Sequence, residues 1–406
     1  MGVSPSMCGT TTPASRQQWR RERTDIKATH SCRICTHSAS QHPALVEVNA
    51  ALREGEMVFA FLYDVYVLCD PERVVEIFRL TAAALERHAG IHVNLGKTKV
   101  WNAAGERPPN IEEVGAQAWA GGGPEETQGV VVLGTPVGHQ AIMSSWLSDK
   151  AEAHRVLFDR IPEVQDAQCA WLLLLLCAGP RAGHILRNVP PSQSRAYAEM
   201  HDERMMQCLS RIVAAAIDAP AREIAQLPFR EGGMALRSAT RMAAGAYWAS
   251  WADCLSQVDA RAPQVCGRLI AELSQGSHSG ASSVREASDA AGLLQSEGFS
   301  APDWPEFRDP DLRAPQPEGR ELGEWEHGWQ FHACAARDTH FAAHVHLPSL
   351  TPDLQCLRAS HRGPCASRHF TAVPTTEDTA FTPEQFRTLA LVRLHLPLHV
   401  DDRKCR

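Results

Sequence analysis

Residues 56–69 read EMVFAFLYDVYVLC. After Glu56 this is an apolar, aromatic run broken by one acid, Asp64. Its β-branched and aromatic content predicts two strands joined at Leu62–Val65, with Asp64 at the tip. A carboxylate at the tip of an apolar hairpin is costly unless it has a partner or a metal. One reading is a turn aspartate satisfied by local N–H groups. The other is a ligand that holds Mg²⁺ against a nucleotide triphosphate.

Working outward, Pro43–Leu52 predicts a short amphipathic helix, with Ala44, Leu45, Val48 and Leu52 on its apolar side. Downstream, Asp70 is placed to cap a helix that has Pro71 at its first position. Val74, Val75, Ile77, Phe78, Leu80 and Leu85 give that helix an apolar face, and Gly90 stops it. Ile91–Val93 predicts a strand turned by Leu95-Gly96. Residues 103–128 read as a Pro/Gly/Glu loop, and Gly129–Leu133 as a buried strand ended by Gly134-Thr-Pro-Val-Gly138. Helical patterns then cover 141–160, 167–178, 194–216, 238–255 and 383–394.

These elements divide the 406 residues into five stretches. Residues 1–39 read as a disordered basic tail and 40–139 as an α+β region. Residues 140–274 are helical. Residues 275–328 carry 11 acidic against 4 basic residues amid Ser, Gly and Pro, and read as an acidic linker. Residues 329–406 are rich in His and Cys and predict a poorly ordered end.

Composition excludes several classes. The longest apolar run, Ala170–Ala178, is about half of the roughly 20 residues that a bilayer span requires. The 13 cysteines are dilute and irregular, so no disulfide partner is expected. Scattered thiols and a polar, basic N-terminus predict a nuclear or cytoplasmic protein rather than a secreted one. A net charge of −7 is unlike that of a strongly basic nucleic-acid binder.

Metal-ligand residue types occur twice. Cys32, Cys35, His37 and His42 form one group. His332, Cys334, His340, His344, His346, Cys356, His361, Cys365 and His369 form the other. Both have ligand types suited to zinc, at spacings that fit no common template. No phosphate-binding glycine loop or hydrolase elbow occurs, since Gly121–Gly123 runs into Pro124-Glu125-Glu126.

Three motifs stand in a fixed order: Phe61-Leu-Tyr-Asp64, then GIHVNLGKTK at 90–99, then VVLGTPVG at 131–138. Together they resemble the palm of reverse transcriptases from non-LTR (LINE-type) retrotransposons. There the first is an aromatic-x-Asp-Asp metal motif and the last a hairpin that grips the primer. LPFREGGMALRSA at 227–239 resembles a segment that follows the thumb in the same elements. The resemblance spans about 40–260.

It implies an α+β fold: a partial palm with an antiparallel sheet, then a helical thumb-like region. It also implies RNA-directed DNA polymerisation with Mg²⁺ or Mn²⁺ on an RNA template and a DNA primer. Asp64 would hold metal, and Lys97, with Asn94, Thr98 and Lys99, would lie near the nucleotide. Gly134 and Gly138 would shape the primer grip. The sequence departs from the family at Tyr63, which replaces the first Asp of the pair. A phenol is a poor Mg²⁺ ligand beside a carboxylate. The only Asp before Asp64 is Asp25, in a stretch without strand pattern. The resemblance therefore implies a truncated, degenerate and inactive copy. Two other classes fit the same residues: a non-catalytic nucleic-acid-binding remnant, and a zinc-dependent interaction module in 329–406.

Overall fold

The computed structural model describes residues 42–61, 64–276, 279–316, 327–363 and 365–398. The chain divides into two compact units at Ile142/Met143.

In the first unit the hairpin forms as the β-branched and aromatic content predicts. Strand β1 (Met57–Phe61) pairs antiparallel with β2 (Asp64–Leu68), with Phe61 opposite Asp64. Helix α1 covers 42–51 and buries Ala44 and Val48 completely. Pro71–Arg73 form a 3₁₀ turn that leads into α2 (Val74–Ala89), ended by Gly90. The Asp70 side chain makes no capping bond, contrary to expectation.

Instead the entry to α2 is held by Arg73, which is buried. Its guanidinium pairs with Glu56, donates to Ala51 O at 3.0 Å and reaches Glu76 at 3.0 Å. Glu56 also accepts the amides of Arg53 (2.7 Å) and Asp70 (3.2 Å). One ion pair thus ties the end of α1, the start of β1 and the start of α2.

Helix α2 has two apolar sides. Ile77, Ala84 and Leu85 pack on α1 and the hairpin, while Val74, Val75 and Phe78 meet Ile111, Val114 and Ala118 of the 103–128 segment. That segment is therefore more than a loop; it carries a small core of its own.

The strand expected at 91–93 does not form. Ile91 N–H donates to Leu85 O at the helix end, and Asn94 O accepts the amides of Lys97 and Thr98. Ile91 and Val93 pack sideways against the α2 core instead. Strands β3 (Gly129–Val132) and β4 (Thr135–Gly138) make a second hairpin. The described strands thus form two separate two-stranded sheets rather than the single sheet expected of a palm.

The second unit is helical. It contains α3 (Gln140–Arg160), α4 (Ala167–Leu173), α5 (Ala182–Asn188), α6 (Pro191–Val213), α7 (Ala219–Gln226) and α8 (Ala239–Arg261). Between α4 and α5 the helix widens to a π-turn at Leu174–Ala178 and tightens at Gly179–Arg181, where Pro180 supplies no N–H. Residues 167–188 are long and apolar enough to span a membrane by length and composition, with mean hydropathy 1.5. Their Trp171, Leu174, Leu186 and Ala182 are buried against neighbouring helices, while Leu173 and Leu176 on the same span are exposed.

The acidic stretch is not a linker where it is described. It follows α9 (Pro263–Gln275) and folds into α10 (Ser282–Ser296), then a 3₁₀ turn at Trp304–Arg308. Val284, Ala287, Ala290, Leu294, Phe299 and Phe307 enter one core with Trp248 of α8. Composition misled because small apolar residues recur at helical spacing, and two of the acids are engaged by the fold: Glu297 pairs with Arg337 and Glu286 accepts from Ser192. Trp248 meets Phe299 and Phe307 edge-on at 5.2 and 5.8 Å.

The His/Cys-rich region is likewise packed where it is described. It forms α11 (Trp329–Phe341), α12 (Leu347–Ser349), α13 (Pro352–Ser360), α14 (Arg368–Thr371) and α15 (Pro383–Arg393). Phe370, Phe386, Leu391 and Leu394 join the core around Trp171. Cys334 is buried, and desolvation pushes its thiol up to about 12.

Three histidines of this region are unusual. His346 is fully buried; its Nδ1 meets Glu223 at 2.8 Å and its Nε2 has no partner. His361 Nδ1 and both ring nitrogens of His395 also lack partners. Desolvation holds all three below the ordinary histidine value, His361 at about 4. The charged neighbours act unevenly. Arg358, Arg241 and Glu223 bear on His346, while Arg393 and His369 bear on His361; His346 and Arg393 bear on His395.

Two outcomes follow. Ala287→Asp should lower stability by about 3 kcal/mol, because it buries an unpaired charge in α10. Denaturant unfolding measures this, and an unchanged midpoint would return 279–316 to a linker. The second concerns acid. The unfolded chain titrates its histidines near pH 6.5, above the native values, so it binds more protons below that pH. Stability should then fall as pH drops from about 6.5 toward 4. Melts at both ends of that window should show a smaller loss in His361→Gln/His395→Asn than in the parent. Asn is chosen because residue 395 has φ of 57°, a region Asn tolerates.

Candidate nucleic-acid interface

Asp64 begins β2 and its carboxylate is exposed. Two residues on, and so on the same face, stands Tyr66. Its hydroxyl donates to Asp64 Oδ2 at 3.4 Å and accepts the Leu133 N–H at 3.2 Å. The Tyr66 ring stacks on its cross-strand partner Phe59, with centroids 5.1 Å apart at 23°. One phenol therefore links the tip of the first hairpin to the turn of the second. The sequence-based reading placed Asp64 and Gly134 in one site but missed Tyr66. Its signal was the i, i+2 spacing from Asp64.

The β3–β4 turn is Leu133-Gly134, with φ of 48° and 82°. Two consecutive positive φ angles define the type I′ turn that suits a two-residue hairpin loop. Glycine takes this conformation freely, whereas leucine pays about 1–2 kcal/mol for it. Leu133 nevertheless occupies the turn and is 45% exposed, beside the exposed Val131 and Val137. Gly138 has a separate reason. It faces Gly129 across the hairpin, and a Cβ on it would lie 2.3 Å from Gln128 O.

Asn94–Thr98 form a turn in which Asn94 O also accepts Thr98 Oγ1 at 3.0 Å. Lys99 Nζ is engaged, donating to Gln117 O at 2.7 Å. The Lys97 side chain is exposed, with no hydrogen bond or ion pair among the described residues, although its amide donates to Asn94 O. Of the two lysines, Lys97 is the one with its charge available.

Tyr63, Asp25, Cys32, Cys35 and His37 lie outside the described residues. Among the described residues, no three His, Cys, Asp or Glu side chains gather as a metal-binding group. Asp64 is the only carboxylate within β1 and β2. This donor set does not fit a two-metal centre. The His/Cys-rich residues are dispersed in the same way. The His340 and His344 rings lie tilted by 41° with centroids 4.6 Å apart, while Cys356 and Cys365 are exposed. The nine described cysteines are all free.

The 227–239 motif has an architectural role. Gly233 packs on Leu227, where a Cβ would lie 2.1 Å from the Leu227 carbonyl oxygen. Glu231 pairs with the buried Arg358 of α13 at 3.2 Å, and Gly233 O accepts from the buried Arg393 of α15 at 2.9 Å. Ser238 caps α8 by accepting the Arg241 amide. Asp202 of α6, also buried, accepts Ser238 Oγ and the Ala239 amide, each at 2.7 Å. The motif fastens the core helices together.

No protein-family model matches the chain, and no solved structure matches it. A curated protein does: the retrotransposable element SLACS 132 kDa protein of Trypanosoma brucei gambiense. The two are 27% identical over 205 residues, which is 48% of this chain and 16% of that protein. The chain thus matches about a sixth of its relative's length, and the similarity is compatible with a retrotransposon-derived protein.

Proposed function

We propose that the first unit is part of a reverse-transcriptase palm from a non-LTR retrotransposon, and that it binds an RNA template with a DNA primer without extending it. The observation that carries this reading is the Tyr66 hydroxyl, which bonds both Asp64 and the Leu133 amide. It brings together the two motifs that the family uses for metal and primer, although they lie far apart in sequence. The order of the three motifs and the similarity to a retrotransposon protein support the same descent. The absence of extension rests on the donor set. Tyr63 stands where the family has a metal-binding carboxylate, and a neutral phenol cannot neutralise Mg²⁺ as a carboxylate does.

In this reading Leu133, Val131 and Val137 offer an apolar edge to the sugars and bases of the primer end. Lys97 supplies a phosphate contact. The strain at Leu133 then has a purpose: an exposed side chain is held in an unfavourable conformation where it can touch a ligand.

The test is fluorescence anisotropy of a DNA primer annealed to an RNA template, titrated with the full chain across salt. Binding should weaken with salt, and Lys97→Ala should reduce the slope by about one. Leu133→Asn should weaken binding while raising stability by about 1 kcal/mol, since Asn tolerates the left-handed turn. Loss of both binding and stability would mean that Leu133 serves the fold alone. Primer extension with Mg²⁺ or Mn²⁺ should stay at background, and extension abolished by Asp64→Ala would overturn the inactive assignment.

A further inference from the structure

The histidines of the second unit are dispersed, but one pair shares a helix face. His340 is the last residue but one of α11, and His344 stands four residues on. Between α11 and α12 the helix does not end; it widens to a π-turn over Ala342–His346. A π-turn holds more residues than an α-turn, so positions four apart, which are offset in an α-helix, come nearly into line. The two rings accordingly lie with centroids 4.6 Å apart, tilted by 41°.

That spacing suits a shared ion. With metal–nitrogen bonds of about 2.1 Å and a near-tetrahedral angle, two imidazoles on one ion bring their ring centroids to about 5 Å. The ring nitrogens are also available. His344 is exposed and His340 half-buried, and among the described residues no hydrogen bond or ion pair engages either side chain. His346, in the same turn, differs: it is fully buried and its Nδ1 is held by Glu223 at 2.8 Å.

Both rings line an open cleft of about 410 Å³. The charged groups that share the cleft are already engaged. Glu297 pairs with Arg337, and Arg230 donates to Ala335 O at 3.2 Å, five residues before His340. His332 lines the cleft as well, but its Nε2 is buried, so it does not serve as a third ligand. The protein donor set is two imidazoles, with the remaining coordination positions open to water.

We infer that His340 and His344 together bind one late first-row divalent metal ion, chelated along a single helix face. Neutral imidazole suits Zn²⁺, Ni²⁺ and Cu²⁺, whereas Mg²⁺ and Ca²⁺ take oxygen donors. Such a site is not a folded zinc module, because it draws on no third protein ligand and no cysteine. The ion would clamp the widened turn through which α11 continues into α12. The site lies in the second unit and stands apart from the nucleic-acid reading above.

The experiment titrates the full chain with ZnCl₂ and follows the histidine ring resonances by ¹H–¹⁵N NMR. His340→Ala and His344→Ala assign the two rings by the resonances they remove. Both rings should move together and saturably with Zn²⁺, and MgCl₂ should move neither. His344→Ala should weaken the Zn²⁺ response of the His340 ring at least about tenfold, since the second bond of a chelate forms intramolecularly; His340→Ala should do the same to the His344 ring. Lowering the pH should weaken the response of both, because protons compete for the same nitrogens. In thermal melts, Zn²⁺ should raise the unfolding midpoint more in the parent than in His344→Ala, because the ion binds the folded turn. A His340 ring that responds to Zn²⁺ equally with and without His344 would overturn the shared ion. So would two rings that move at different Zn²⁺ concentrations, or rings that do not move at all.

Discussion

The second unit depends on how one turn is held. Residues 227–239 reverse the chain between α7 and α8, and side chains from α6, α13 and α15 all bond to that turn. Asp202 reaches from α6 to the first amides of α8, where an anion also faces the positive end of the helix dipole. Arg358 and Arg393 reach from α13 and α15 to Glu231 and Gly233. Arg393 is buried, and among the described residues no carboxylate pairs with it. Its charge is met by three oxygens, of Gly233, Ser367 and Ala366, and by the face of Phe370. Desolvation lowers it to about 10. A buried cation bonded in this way holds its partners in one geometry, since any other would leave the charge unmatched.

The same logic recurs in the first unit at a smaller scale. Arg73 and Glu56 join three elements, and Tyr66 joins two hairpins that share no strand pairing. Neither contact contributes much buried apolar area. Both set which surfaces come together, while α2 supplies the cohesion by burying two opposite faces. A long helix of the second unit is positioned in the same spirit. Trp248 of α8 collects aromatic rings from 299–329, so a stretch that looks hydrophilic in composition becomes one wall of a core.

The starts of the expected helices were legible in the sequence to within about three residues, because Pro, Gly and apolar spacing act locally, but α8 runs on to Arg261, and α5, α7, α9, α10, α11 and α13 were not expected. The hairpin around Asp64 was legible for the same reason: a β-branched and aromatic run broken by one acid is a property of the segment itself. The strand at 91–93 was misread because a strand needs a partner, and its amides went to the end of α2 instead. The linker at 275–328 was misread because acidity and Ser/Gly content describe the solvent side of a helix as well as a free chain. Only the recurrence of Val284, Ala287, Ala290 and Leu294 separates the two cases. Of the candidate site, Asp64, Lys97 and the glycines were visible in motifs. Tyr66 and Leu133 were not, since their roles come from residues distant in the chain.

By itself, then, the sequence determined the local vocabulary of this protein: an α+β class, a carboxylate on a hairpin tip, a Leu-Gly turn, and a run of punctuated helices. Only the tertiary structure decided that Asp64 and Leu133 share one hydroxyl, that the 227–239 motif is a fastening, and that His346 is buried against Glu223 while no metal-binding group of three or more side chains forms among the described residues. The physical reason is range. Propensity and periodicity are settled by nearest neighbours, whereas the environment of a buried charge or an unpaired ring nitrogen is set by whichever elements pack over it.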